Sequence, residues 1–290
     1  MSSGMWAPVV FLLLWSGGFT VAKIGIVDAD PLTLLALRYG CVVALIAPLM
    51  LVLKPTLPSS YSEWMHTAAV GFFIQVAYFG TAYKAFEAGA SAGAVALITS
   101  LQPLFVALLM PLLSSEQVSK RSWIGFLFGL LGSVLVIGAN LGIQITTFLS
   151  LMYATIALLS ITVGTVWEKR FGKAQHPLTT SLIHYTVGVA ILLPLAFTTE
   201  NMTINWTTPF VWALGYLVLC NSILAISLLM MMIRKGEATR VSALFFLVPP
   251  TSALLAWLII NEPMAPLAWF GMLIAALGVW LVSTRQSNNT

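Results

Sequence analysis

Residues 31–48 read PLTLLALRYGCVVALIAP, and residues 177–194 read PLTTSLIHYTVGVAILLP. Pro31, Leu32, Thr33, Tyr39 and Pro48 return as Pro177, Leu178, Thr179, Tyr185 and Pro194, each 146 positions later. Outward from this stretch the offset holds. Pro103 pairs with Pro249, Glu116 with Glu262, Trp123 with Trp269, and Gly125 and Gly132 with Gly271 and Gly278. A spacing that never drifts means two copies of one unit, 1–143 and 144–290, so that whatever one half folds into, the other does too.

The unit is a membrane one. Of the 290 residues 59% are hydrophobic and 8% charged, and the mean hydropathy is +0.97. A soluble domain of this composition could not cover its surface with polar groups. A helix needs about 20 apolar residues to cross the hydrocarbon core. The apolar runs predict ten spans, near 6–26, 32–53, 64–86, 90–113, 122–140, 147–168, 178–198, 209–233, 239–260 and 266–284. Five spans per copy is an odd number, so the second copy must lie upside down in the bilayer, the pattern of inverted-repeat transporters. The expected fold is an all-α integral membrane protein whose two inverted five-helix repeats surround a central cavity.

The first run lacks a basic leader and is too long for a signal-peptide core, and Lys23 has its counterpart in Lys169 of the sixth run. It reads as a retained span. Cys41 and Cys220 fall inside spans and are not repeat partners, which favours buried small side chains over a disulfide or metal site. The net charge of +4 records topology. With a cytoplasmic N-terminus the inner loops collect Lys54, Lys120, Arg121, Lys169, Arg170, Lys173, Arg234, Lys235, Arg240 and Arg285, against Lys23 and Lys84 outside. Both termini are therefore expected in the cytoplasm of a bacterial inner-membrane protein, and no nucleic-acid partner is implied. Sequons at Asn201 and Asn205 lie in an outer loop, but a third at Asn288 lies in the inner tail, so sequons carry little weight here.

The stretch Gly236-Glu237-Ala238-Thr239-Arg240-Val241-Ser242-Ala243, followed by Phe246-Leu247-Val248-Pro249, Asn261-Glu262-Pro263 and Trp269-Phe270-Gly271, resembles the EamA-type drug/metabolite transporters. A weaker copy runs through Ala88-Gly89-Ala90-Ser91-Ala92-Gly93-Ala94, Leu101-Gln102-Pro103, Ser115-Glu116 and Trp123-Ile124-Gly125. The resemblance implies a basket of helices around a central cavity, with the last span of each half peripheral. The glycines of spans five and ten, Gly125, Gly129, Gly132, Gly271 and Gly278, suit close helix packing in lipid. Glu116 and Glu262 stand where they could cap the starts of those spans.

Candidate site residues are the polar and helix-breaking ones inside spans. Pro103, and Pro249 with Pro250, interrupt spans four and nine at matched positions, as shape-giving kinks, as hinges, or as both. Gln75 pairs by the repeat with Asn221, and Tyr78 lies one turn from Gln75. Trp15 is central to span one, Thr99 and Gln102 precede the break in span four, and Ser242 opens span nine. Buried amides and hydroxyls serve either as interhelical links or as ligand contacts. Arg38 and His184 are repeat partners, each beside the repeated tyrosine. A cation at a helix centre costs about 2.5–3.5 kcal/mol, and Arg38, about two turns from its span's end, could partly snorkel to the interface. Lys84 and Glu87 are placed to pair.

No Asp or Glu falls near the middle of a span, which disfavours coupling through a central carboxylate. Transport is then facilitative, or His184 takes part. A cluster of central cations, which a sugar phosphate or nucleotide would need, is missing too. The remaining lining of amides, hydroxyls, tyrosines and tryptophan suits a small, net-neutral, partly apolar solute. By resemblance this points to the amino acid exporters, within them to the YddG-type aromatic amino acid exporters, with export of cationic drugs or metabolites as the alternative. A membrane-embedded enzyme is disfavoured, because His66, His176 and His184 are scattered and no acidic cluster exists. No cofactor is implied, and a chain holding both repeats needs no second copy to form its cavity, so a monomer is expected.

Overall fold

In the computed structural model, residues 6–90, 92–113, 118–140, 147–173, 175–235, 238–260 and 265–283 are described. Nearly all of them are helical. We number the helical segments α1 (Trp6–Asp28), α2 (Pro31–Leu53), α3 (61–87), α4 (92–113), α5 (Lys120–Asn140), α6 (Phe148–Phe171), α7 (Pro177–Thr199), α8 (Thr208–Lys235), α9 (238–260) and α10 (Pro266–Ser283). Among the described residues, seven helices are long and apolar enough to cross a membrane: α1, α2, Ala94–Leu113 of α4, α6, α7, α8 and α10. Glu116, Glu262 and Asn288 lie outside the described residues.

Packing follows the repeat. α2 lies along α7, its own copy, and α5 along α10. α3 packs on α6, while α8 packs on α1; α4 meets α6, while α9 meets α1. The α5–α10 seam fixes direction. A Cβ on Gly125 would lie 2.7 Å from the Gly278 carbonyl oxygen, and one on Gly132 would lie 2.5 Å from that of Gly271. Gly125 thus meets the repeat partner of Gly132, and Gly132 the partner of Gly125, which requires the two helices to run antiparallel. Small residues let these backbones touch where lipid offers no hydrophobic drive. The outward faces of the pair carry exposed Leu127, Leu131, Leu273 and Leu277, as a lipid-facing surface demands.

The two halves share their irregularities. α3 is π-helical over Phe72–Tyr78, and α8 over Leu217–Ala225. Moved by 146, the first range becomes 218–224, which falls inside the second. The repeated tyrosines explain both. Tyr39 donates from its hydroxyl to the Gln75 carbonyl at 2.9 Å, and Tyr185 to the Ser222 carbonyl at 2.6 Å. A widened turn leaves a backbone acceptor free, and a buried phenol fills it. The paired rings pack at the centre, with centroids 5.2 Å apart.

α4 and α9 are also broken in register. α4 ends one helix at Thr99 and resumes at Gln102, while α9 tightens to a 3₁₀ turn over Leu244–Leu247 before Val248. Pro103 and Pro249 each stand second in the helix that follows, where a missing N–H costs no intrahelical bond. Pro250 comes next in the second copy.

Candidate functional site

A pocket opens between α1 and α3 of the first half and α8 of the second. It is lined by Trp15, Gly18, Phe19 and Ala22, by Tyr78, Phe79, Ala82, Tyr83 and Phe86, and by Asn221. Its floor is an aromatic cluster. Trp15 stacks on Tyr78 with centroids 6.1 Å apart, and also meets Phe11, Phe79 and Phe245. Such rings present apolar faces while keeping polar edges available. Gly18 has no side chain because Asn221 occupies that space.

Arg38 stands directly behind this wall. It does not snorkel: its side chain is fully buried. Its Nε donates to Ser222 Oγ at 2.6 Å, one terminal nitrogen to Asn221 Oδ1 at 2.6 Å, and the other to Tyr83 Oη at 3.2 Å. The guanidinium carbon lies 4.7 Å from the centroid of Phe79. Among the described residues no carboxylate pairs with Arg38. Neutral acceptors and π faces hold the charge, so burial is only partly compensated.

Of the residues singled out from the sequence, Trp15, Tyr78 and Asn221 line the pocket, and Arg38 touches three of its lining residues, Phe79, Tyr83 and Asn221. The others lie elsewhere. Thr99 donates into its own helix, to the Val95 carbonyl at 2.8 Å. Gln102 donates to Thr165 of α6 at 2.8 Å. The Gln75 amide lies beside the Tyr185 hydroxyl without a hydrogen-bond partner at normal distance. His184 packs against Gly71, where a Cβ would come within 2.8 Å of the histidine Cα, and neither ring nitrogen has a partner. Ser242 is buried with its hydroxyl unpartnered. Among the described residues no three metal-ligating side chains gather.

Sequence reading missed Tyr83, Ser222 and Phe79. Tyr83 follows Phe79 by one turn, a helical spacing that could have been read as one face. It also missed Glu200. Lys84 pairs with Glu87 at 3.0 Å as expected, but also with Glu200 at 2.8 Å. Glu200 accepts from the Leu32 and Thr33 backbone N–H groups and from the Thr33 hydroxyl. Burial pushes its carboxyl up, yet Lys84 and these donors outweigh that and hold it below the usual carboxylate range. At the opposite end of the bundle Arg234 of α8 pairs with Glu168 of α6 and reaches Gln175 and Thr180. Both ends are thus tied by charge around a pocket that both halves wall.

A bundle of apolar helices in matched halves around an aromatic and polar pocket fits a membrane transporter. The chain belongs to the EamA-like transporter family, which it matches over residues 2–138 and again over 148–284. The starts of the two matches are 146 apart, 148 minus 2, the offset of the internal repeat. It is 23% identical to the uncharacterized transporter YvbV of Bacillus subtilis, covering 95% of this chain and 90% of that one. It is also 23% identical to a probable amino-acid metabolite efflux pump of Salmonella typhimurium, covering 94% and 92%. A crystal structure superposes with a TM-score of 0.80 at 19% identity, covering 98% of this chain and 97% of the other, a likeness of fold. The protein is therefore a multi-pass membrane transporter, and its substrate is a small molecule.

Proposed function

We propose that the chain is a ten-crossing carrier of two inverted repeats, 1–143 and 144–290, with both termini cytoplasmic. It exports amino acids, aromatic ones favoured, or related small metabolites by alternating access. The observation that carries this reading is the pocket itself. It is walled by α1 and α3 from one half and Asn221 from the other, beside both π-helical segments. The antiparallel α5–α10 seam supports the inversion, since equivalent helices of an odd-span repeat must run in opposite directions. The relatives named as probable amino-acid metabolite efflux pumps support the substrate class. A cationic drug is the poorer fit, because the permanent charge of Arg38 lies behind the pocket wall.

In this reading the ion pairs at the two ends, Lys84–Glu200 and Glu168–Arg234, break alternately. The interruptions before Pro103 and before Pro249 and Pro250 act as hinges. Counterflow in proteoliposomes tests the function. Vesicles preloaded with unlabelled phenylalanine or tryptophan should accelerate entry of the labelled amino acid, with saturation. Vesicles containing folded protein but showing no acceleration by any amino acid would end the amino acid reading; linear, non-saturating flux would indicate a channel. Normal transport by Pro103→Ala and Pro249→Ala variants would remove the hinge role.

A further inference from the structure

We propose that the pocket recognises a carboxylate and an aromatic ring but not an ammonium group, so that its preferred ligand is an aromatic monocarboxylic acid. The proposal rests on the carrier reading and, within it, favours related small metabolites over the amino acids themselves.

The argument starts from the donor count. A guanidinium carries five N–H groups and no acceptor. Arg38 uses three, on Asn221 Oδ1, Ser222 Oγ and Tyr83 Oη. Because Arg38 can only donate, it fixes the orientation of its neighbours. Asn221 must turn its oxygen toward the guanidinium and its NH₂ away. That NH₂ reaches only the Leu14 carbonyl, at 3.4 Å, and the same oxygen already accepts from Tyr216 at 2.9 Å. Tyr83 spends its oxygen as an acceptor and keeps its O–H proton to give. Trp15, fully buried, holds an indole N–H with no acceptor among the described residues. Asn221, Tyr83 and Trp15 all line the pocket. The polar capacity these lining residues have left over is donor capacity, the complement of a carboxylate. Around them Phe19, Phe79 and Phe86 supply apolar ring faces for a ligand's ring to pack on.

Charge balance gives the same ranking independently. Arg38 remains protonated under all ordinary conditions, and no described acidic residue pairs with it or lines the pocket. A monoanion brings the site to neutrality. A zwitterion leaves one positive charge uncompensated, and a cationic amine leaves two. In a low-dielectric interior such differences are large. An ammonium group has no anion here to meet.

Three ligands sharing a phenyl ring and a short chain separate the cases: 3-phenylpropanoate, phenylalanine and 2-phenylethylamine, with charges of −1, 0 and +1. Binding is measured by calorimetry on the full-length protein in nanodiscs, and exchange by counterflow. The expected order is phenylpropanoate at least tenfold tighter than phenylalanine, with phenylethylamine weakest. Phenylalanine binding as tightly as phenylpropanoate, or more so, while still driving counterflow, would overturn the proposal and leave the carrier reading intact. Binding and exchange by none of the three would sink both.

Two variants then locate the effect. Arg38→Gln should bring the three affinities within about threefold of one another. Tyr83→Phe keeps the ring and the guanidinium charge, so it tests the donor even if Arg38→Gln fails to fold. It should weaken phenylpropanoate several-fold and leave phenylethylamine unchanged. Equal weakening of both would assign Tyr83 a packing role and refute the donor arrangement.

Discussion

The α5–α10 seam and the Arg38/His184 pair treat one duplication in opposite ways. Along the seam the copies stay alike: Gly125 and Gly132 face Gly278 and Gly271, and backbone contact leaves no room for anything larger. At positions 38 and 184 they have diverged. Arg38 makes three side-chain hydrogen bonds across to α3 and α8, whereas His184 makes none and lies against Gly71. Steric need holds the scaffold symmetric, and the site acquires its polarity where that need is relaxed. The pocket described above accordingly lies on the Arg38 side of the pseudo-axis.

Making the two diverged positions alike again should do the most damage. His184→Arg would put a guanidinium against the Gly71 backbone, where no carboxylate is seen to contact position 184 among the described residues. An uncompensated buried charge costs several kcal/mol, about 3–5 here, so the variant should accumulate poorly and melt far below wild type. A near-normal melting temperature would show that the second half tolerates the first half's polarity. The seam comes next. Gly132→Ala drives a methyl group into the Gly271 carbonyl and should cost about 1–3 kcal/mol, measured by thermal unfolding in detergent. Gly40→Ala is the control. A Cβ there meets nothing within 4 Å inside α2, so it should be neutral or stabilise by about 0.5–1 kcal/mol.

A second asymmetry concerns how α2 and α7 begin. The first turn of α2 is capped from the other half, by Glu200 at the end of α7. The first turn of α7 is capped by its own His176, while Thr179 donates to the Thr56 carbonyl. The depressed folded-state pKa of Glu200 means that its contribution is present above the unfolded value of about 4.3 and lost as pH falls through the folded value. Glu200→Gln should therefore lower the melting temperature near neutral pH by a few degrees, roughly 2–4 °C, and flatten its decline below about pH 4. An unchanged acid limb would assign that decline to other carboxylates.

The scaffold was legible because repetition is a one-dimensional signal. Pro31, Tyr39 and Pro103 recur with their partners whatever the helices later touch. The π-helical turns were not legible, since they arise only when Tyr39 and Tyr185 reach across to carbonyls on neighbouring helices. Trp15, Tyr78 and Asn221 stood out as large or polar groups in apolar spans, and all three line the pocket. Thr99 and Gln102 stood out equally, yet a hydroxyl that bonds its own helix and an amide that bonds Thr165 look the same in sequence as ligands would. Tyr83 and Ser222 were passed over because their importance is conferred by Arg38, whose direction depends on how α2 crosses α3 and α8. Glu200 falls between two predicted spans, and nothing near it in sequence announces the helix start it caps.

The smallest expected effect is at His184, and it decides how transport is coupled. Sequence reading left two routes open, facilitated exchange or proton movement through this histidine. A proton carrier must exchange its proton with water or with a partner group during the cycle. His184 is buried, hydrogen-bonds to nothing, and is pressed against Gly71. Among the described residues it has no hydrogen-bonding group to take a proton from or pass one to. His184→Gln should therefore keep more than half of wild-type counterflow, and the rate should vary with pH between 5.5 and 8 as it does in wild type. Should the variant lose its pH dependence while still exchanging substrate, the second half would hold a proton site after all. The divergence from Arg38 would then mark a division of labour, with substrate charge read in one copy and coupling in the other.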